Sequence, residues 1–168
     1  MGYNAGAAVT TGINNTLIGD RTGDALTDAD YNIAIGQGAL TSDTLGSKSV
    51  AIGNQSLAQQ NFTTATDSYN TAVGYSAGTS VTTGVENTLI GGLAGDAITT
   101  GDYNVAVGQS ALSAATTSDY NTAVGHNSGY AVTTGTQNTL IGALAGDALT
   151  DADYNVAVGS QALSQDTL

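Results

Sequence analysis

The sequence contains no cysteine, no proline and no tryptophan, and Arg21 and Lys48 are its only lysine or arginine residues. Without cysteine, no disulfide framework is available to the fold. The 14 acidic residues give a net charge of −12, which argues against nucleic acid and anionic membranes as partners because both select basic patches. No apolar run approaches the roughly 18 residues of a membrane-spanning helix, and the first residues lack a secretory signal. We therefore expect no membrane insertion.

Glycine and regularly spaced apolar residues fill the chain instead. The 40% apolar content and its regular placement distinguish the sequence from a disordered acidic segment. A glycine that follows Ile or Val recurs throughout and serves as position 0 of a unit: Gly19, Gly36, Gly53, Gly74, Gly91, Gly108, Gly125, Gly142 and Gly159. The interval is 17 residues, except for 21 between Gly53 and Gly74. The extra residues fall most simply at 58–67.

A longer period of 51 residues lies on top of the 17-residue one. Residues 2–52, 74–124 and 125–168 align as super-repeats of three units, and a GDAxT stretch such as 146–150 returns in each middle unit. Such self-similarity is the signature of a repeat architecture. We expect a single repeat array over residues 1–168, with 61–67 as its protruding loop.

The unit itself excludes a helical repeat. It has no apolar stripe of helical spacing, and its Gly, Thr, Asn and Asp are poor in helix interiors. A short β-branched strand, a glycine bend and a polar return fit one coil of a β-solenoid. The sequence therefore predicts an all-β fold, a parallel β-solenoid of about ten 17-residue coils, stacked roughly 4.8 Å apart.

The strand before each position 0 has two faces that are apolar or small. Because side chains alternate across a strand, positions −1 and −3 share one face and position −2 forms the other. A parallel strand with two apolar faces is usually covered on both sides, and a coil this short leaves nothing else in the chain to cover the second. We predict that position −2 forms a seam between chains, in which alanines allow close approach and leucines recur as knobs: Leu17, Ala34, Ala51, Ala72, Leu89, Ala106, Ala123, Leu140 and Ala157.

Position −4 is asparagine in eight of the nine units, with Ser49 as the exception. Identical side chains in adjacent coils can bond along the stack. We therefore expect a stacking ladder of Asn15, Asn32, Asn70, Asn87, Asn104, Asn121, Asn138 and Asn155.

The unit YNTAVGxxAG…TTGxxNTLIGxxAG resembles the head repeats of trimeric autotransporter adhesins and repeat arrays of bacteriophage tail fibres. KSVAIG at 48–53 is similar to the adhesin signature of the form NSVAIG. The resemblance covers essentially the whole chain. It implies a left-handed parallel β-roll, a homotrimer, and a place on a virion or at the extracellular surface of a cell. It also implies a structural, adhesive fibre segment that supports attachment to a cell-surface receptor or glycan.

A function of another class stays open beside the fibre segment. The array begins in phase at Gly2 and stops within a unit, and neither end has a polar cap. Uncapped solenoid ends expose strand edges. A self-assembling extracellular filament, built by end-to-end stacking of β-solenoids, is therefore the alternative.

Aspartates cluster in the first and third GDAxT stretches, and they are our calcium candidates: Asp24, Asp28, Asp30, Asp147, Asp151 and Asp153. Oxygen ligands in a loop are what Ca²⁺ requires. The middle copy has Thr100 in place of the central Asp, and the spacing differs from known calcium loops. The competing interpretation is a solvated acidic turn that discourages association at the sheet edge. No other cofactor is expected.

Position −5 is tyrosine in five units, namely Tyr31, Tyr69, Tyr103, Tyr120 and Tyr154. An exposed aromatic strip of this kind could face glycans, and the alternative is a tyrosine stack along the coil edge with its hydroxyls in water. Catalysis has little support. His126 is the only histidine and Glu86 the only glutamate, and the paired aspartates belong to the repeat, whereas an active site usually breaks one. We do not expect an enzyme.

Overall fold

The computed structural model describes residues 2–166, and Met1 and residues 167–168 of the predicted array lie outside that range. Within it the chain is all-β, with no helix and so none able to cross a membrane. The strands are β1 (Thr16–Ile18), β2 (Ile33–Ile35), β3 (Gly46–Ser47), β4 (Val50–Ile52), β5 (Thr66–Asp67), β6 (Thr71–Val73), β7 (Thr88–Ile90), β8 (Val105–Val107), β9 (Thr122–Val124), β10 (Thr139–Ile141) and β11 (Val156–Val158).

Nine strands of the described chain form one parallel sheet, in the order β1-β2-β4-β6-β7-β8-β9-β10-β11. Each strand pairs with the strand one unit further on, so that Leu89 lies opposite Ala106. Across the longer unit, Ala51 lies opposite Ala72 and the sheet continues unbroken. The nine strands are thus joined by eight coil-to-coil steps, against the ten or so coils expected. The predicted parallel β-solenoid is confirmed.

The glycine at position 0 ends each strand, and Gly91 shows why no other residue serves. Its φ is +135°, in a region that L side chains rarely adopt. A Cβ atom built on Gly91 would lie 2.5 Å from the carbonyl oxygen of Gly108 in the next coil. The turns of neighbouring coils therefore stack backbone on backbone, with no room for a methyl group between them.

Position −2 points into the coil and forms one wall of the core. Every member of this row from Ala34 to Ala157 is buried within the single chain, and Leu17 is partly buried. The prediction that these nine residues form a seam between chains is therefore wrong, because a side chain covered by its own coil has no surface left for a partner. The narrow coil admits a row of Ala with spaced Leu, whereas the bulkier row at positions −1 and −3 must face outward.

Large and small residues alternate across this core. Leu89 points between Gly78 and Gly95 at position +4 of the two flanking coils, where an added Cβ would come within 2.6 and 2.7 Å of the leucine methyls. Conversely, Leu112 occupies position +4 where both neighbouring position −2 residues are alanine. In the same way, Leu17 lies beside Gly6 and Gly23, and Leu140 lies beside Gly129 and Gly146. Leu40 and Leu57 occupy position +4 where the neighbouring position −2 residues are alanine. Protein interiors pack about as densely as crystals of small organic molecules. The 51-residue period therefore follows from the alternation of large and small residues that fills the core of the coils.

Position +7 completes the core and follows the same compensation. It is Val, Ile or Leu where position +4 is glycine, as at Val81 and Ile98, and only Ala115 where position +4 is Leu112. Beside Leu40 and Leu57, the position is polar, with Asp43 and Gln60, and both are fully buried.

The longer coil is organised around that polar pair. The Asp43 carboxylate accepts hydrogen bonds from the backbone N–H of Gly46 and Phe62, both at 3.0 Å, and from Gln60 Nε2 at 2.6 Å. Phe62 is buried, and β5 pairs with β3 as a second, two-stranded sheet. Of the predicted protruding loop at 61–67, residues 63–65 form a continuous exposed stretch. The insertion is therefore anchored by Phe62 and by the β3–β5 pair, while most of residues 61–67 is exposed.

Candidate functional site

The outer face of the main sheet is a continuous β-branched surface. In the described strands, positions −1 and −3 hold only Ile, Val or Thr: Thr16, Ile18, Ile33, Ile35, Val50, Ile52, Thr71, Val73, Thr88, Ile90, Val105, Val107, Thr122, Val124, Thr139, Ile141, Val156 and Val158. None of these side chains is fully buried, and Ile90 and Ile141 are 39% and 40% exposed. We call these residues the outer face.

The asparagines at position −4 form the expected ladder along the stack. Asn104 is representative: its Oδ1 accepts the backbone N–H of Asn121 at 3.0 Å, and its Nδ2 donates to the carbonyl of Ser118 at 2.7 Å. The members from Asn32 to Asn138 are buried. Each amide thus ties two neighbouring coils together and satisfies buried backbone groups that would otherwise be costly.

The ladder is bridged where Ser49 replaces asparagine. Asn32 Oδ1 accepts the Ser49 N–H at 2.8 Å, and the Ser49 hydroxyl contacts Ser68 Oγ at 2.5 Å. Gln60 Nε2 donates to Ser49 at 2.8 Å, while its Oε1 accepts from Asn70 at 2.9 Å. The glutamine therefore carries the network across the insertion.

The six calcium candidates are not gathered into a site. Within residues 2–166, no group of three or more His, Cys, Asp or Glu side chains could hold a metal ion. Asp24 accepts from Thr41 at 2.6 Å, Asp28 from Thr11 at 2.5 Å and Asp151 from Thr150 at 3.2 Å. Asp147 has one buried carboxylate oxygen without a hydrogen-bond partner in the described chain. These carboxylates lie along the stack rather than around a point.

The aspartates at position +11 have a role that the sequence did not suggest. Asp30 accepts the backbone N–H of Ile13 at 2.7 Å, and Asp153 accepts that of Thr136 at 2.6 Å. Asp102 does the same for Val85 at 2.8 Å. Each carboxylate caps the residue one coil earlier at the same position. The available signal was the recurrence of short acceptors, Asp or Ser, at this position.

A threonine ladder at position +8 was also missed. The Thr82 hydroxyl donates to the carbonyl of Thr99 at 3.1 Å, and Thr99 donates to Thr116 at 3.0 Å. The sequence carried the signal, because position +8 is threonine in every unit except the one that holds Asn61. These bonds join the same turn of successive coils.

The five tyrosines at position −5 are exposed, but several ring faces are engaged. The rings of Tyr103 and Tyr120 stack with their centroids 4.8 Å apart and their planes within 5°. Lys48 Nζ lies 5.1 Å from the ring centroid of Tyr69. It donates to the Asp67 carboxylate at 2.6 Å and to the Tyr69 hydroxyl at 3.0 Å, and these hydrogen bonds raise the Lys48 pKa. Tyr31 and Tyr154 are 54% and 73% exposed. Both sequence interpretations of these tyrosines therefore keep some geometric basis.

Glu86 sits one coil before Tyr103, and its charge is the main cause that raises the Tyr103 pKa. We expect Glu86→Gln to lower that pKa, because glutamine carries no charge and stands at the equivalent position 137 with the same φ of +57°. Because folding raises the pKa of Tyr103, the protonated hydroxyl contributes to stability in full below the unfolded pKa of ~10. That contribution is lost as the pH rises through the folded pKa. NMR titration of the tyrosine Cζ signals of the wild type and of Glu86→Gln measures the Tyr103 pKa. An unchanged Tyr103 midpoint would contradict the assignment.

A groove lies beside the turns that follow β1, β2, β4 and β6. Its volume is about 380 Å³, and it is lined by Arg21, Gln37, Gly38, Asn54, Gln55 and Tyr75. Asn54 Nδ2 donates to Gln37 Oε1 at 3.1 Å, and Arg21 Nε lies 3.8 Å from the Asp20 carboxylate. The groove thus brings a cation, amides and an aromatic ring together.

These features define a parallel β-solenoid repeat protein. No protein-family model, no curated protein and no solved structure matches the chain in the three comparisons made.

Proposed function

We propose that this protein is a rigid structural segment of an adhesive fibre and that its chains associate as a homotrimer through the outer face. The observation that supports association is the uncharged, β-branched surface that continues along nine strands of the described chain. A contiguous exposed apolar surface of this kind marks an interaction site more often than a free surface. The number three comes from the resemblance to adhesin heads.

The fold supports a projecting role. Coils stack in one direction, and side-chain ladders of Asn, Thr and Asp bond each coil to the next. Solenoid stability of this kind is summed over nearest neighbours, so the rod can be extended without a larger core. We propose that such a rod, on a virion or at a cell surface, carries attachment to a receptor or glycan.

A charge on the outer face tests the association. We expect Val107→Glu to convert the trimer to monomers with an increase in dissociation constant of at least about 100-fold, because an unpaired buried charge costs several kcal/mol. Val107 points outward from β8, so the monomer should keep its circular dichroism spectrum. The measurement is mass photometry and light scattering across protein concentrations.

Gln109→Glu is the matched control. It adds a carboxylate two residues further on, at an exposed position off the outer face, and the trimer should persist. A wild-type chain that stays monomeric at all concentrations would contradict the proposed association. Mass that grows without limit as concentration rises would instead favour the filament formed by end-to-end stacking.

A further inference from the structure

The groove lined by Arg21, Gln37, Gly38, Asn54, Gln55 and Tyr75 is built on a fixed backbone. The N–H of Gly38 donates to the Asp20 carbonyl and that of Gln55 to the Gln37 carbonyl, both at 2.9 Å. The N–H of Ser76 continues the series to Asn54. The side chains therefore project from positions that the coil stack holds in register, which is the preorganisation that a binding site needs.

The groove also breaks the repeat. Arg21 stands where the other two super-repeats have Leu93 and Leu144, and it is the only arginine in the chain. Gly38 stands where they have Ser110 and Gln161, so a side chain is missing from the groove lining. A wall that only continues the rod needs neither change. Position +2 varies along the array, as Gln55, Ser76 and Asn127 show, so packing of the core does not dictate its residue.

The chemistry of the lining fits hydroxyl groups and a flat apolar face. The amides of Gln37, Asn54 and Gln55 each offer donors and an acceptor, and Arg21 adds donors in a fixed fork. Tyr75 is 61% exposed and presents an amphipathic ring beside them. The volume lies within the usual range of small-molecule sites, about 300–1,000 Å³. We infer that the groove binds a neutral pyranose sugar, with Tyr75 against the C–H face of the ring and the amides and Arg21 on its hydroxyls.

This inference deepens the proposed adhesive role and rests on it. The ligand is neutral rather than acidic because Asp20 already faces the Arg21 guanidinium and the chain carries a net charge of −12. A negative field of that size disfavours anions near the surface. Three of the five tyrosines at position −5 are poorer platforms, since Tyr103 and Tyr120 cover each other and Lys48 lies over Tyr69.

The test is ¹H–¹⁵N NMR of the whole protein titrated with methyl glycosides of glucose, galactose, mannose and N-acetylglucosamine, and with methyl glucuronide. We expect at least one neutral glycoside to shift the side-chain amides of Gln37, Asn54 and Gln55 with a dissociation constant on the order of 1 mM. Arg21→Leu restores the residue of the other super-repeats at a similar φ, so it should fold while weakening binding at least about tenfold.

Tyr75→Ala should weaken binding equally, and Tyr130→Ala, an exposed tyrosine outside the groove, should leave it unchanged. Any one of three results overturns the inference. These are no NMR shift with any neutral glycoside, NMR shifts confined to Tyr103 and Tyr120, or tighter binding of the glucuronide than of the neutral glycosides. Mass photometry of the same samples separates the two proposals. A trimer that binds no sugar contradicts only the proposed sugar site, and a monomer that binds sugar contradicts only the proposed trimer.

Discussion

Replacing Gly91 with alanine is expected to lower the free energy of unfolding by about 3 kcal/mol or more, because it forces strain in a backbone region reserved for glycine. The φ of +135° is the first cause, and the contact of the new Cβ with the Gly108 carbonyl, 2.5 Å away, is the second. Neither is relieved locally, because the next coil is held by its own hydrogen bonds. For a chain of this length the melting temperature should fall by roughly 10 °C.

Gly92→Ala is the control in the adjacent residue. A Cβ at Gly92 meets nothing within 4 Å, and the residue has no left-handed φ. Its substitution should be neutral or stabilising by up to about 1 kcal/mol through the unfolded chain. Thermal and urea unfolding followed by circular dichroism compare the two variants. If Gly91→Ala and Gly92→Ala are equally stable, close stacking of the turns is not the reason that position 0 is glycine.

Leu89→Ala is expected to cost about 2–5 kcal/mol, since it removes a fully buried side chain from a core with little freedom to collapse. The same core offers a compensating change. Where position −2 is alanine on both sides, as around Leu112, position +4 is leucine and position +7 is Ala115. The pattern of that coil can be transferred to the coil of Leu89.

The triple variant Leu89→Ala, Gly95→Leu and Ile98→Ala makes this transfer, and it should recover more than half of the lost stability. Gly95→Leu alone should destabilise, because a Cβ there lies 2.7 Å from Leu89 Cδ2 and 2.8 Å from Ile98 Cδ1. Leucine itself is tolerated at this backbone conformation, as Leu112 shows with φ +51°. Urea unfolding of the wild type, Leu89→Ala, the Gly95→Leu/Ile98→Ala pair and the triple variant gives the coupling energy. If the triple variant is no more stable than Leu89→Ala alone, volume compensation does not explain the 51-residue period.

The asparagine ladder illustrates what a repeating sequence makes predictable. A polar residue kept at one position of every coil must either face solvent or bond to its own copies, and the amide can do the latter in both directions. The aspartates were less informative. From the sequence, Asp30 and Asp102 fit a metal ligand as well as a solvated turn. Only the coil geometry showed that their carboxylates accept backbone N–H groups one coil away.

The sequence by itself determined the period, the all-β class and the bend at each position 0, because these follow from spacing and from residue types that few conformations accept. Only the tertiary structure decided which face of the strand is inside. Alternation requires that Ala106 and Val107 point in opposite directions, but both are apolar, so pattern alone does not say which is core. The width of the coil makes that choice: it has room for alanine and an occasional leucine backed by glycine, and it leaves the Ile, Val and Thr rows on the outside.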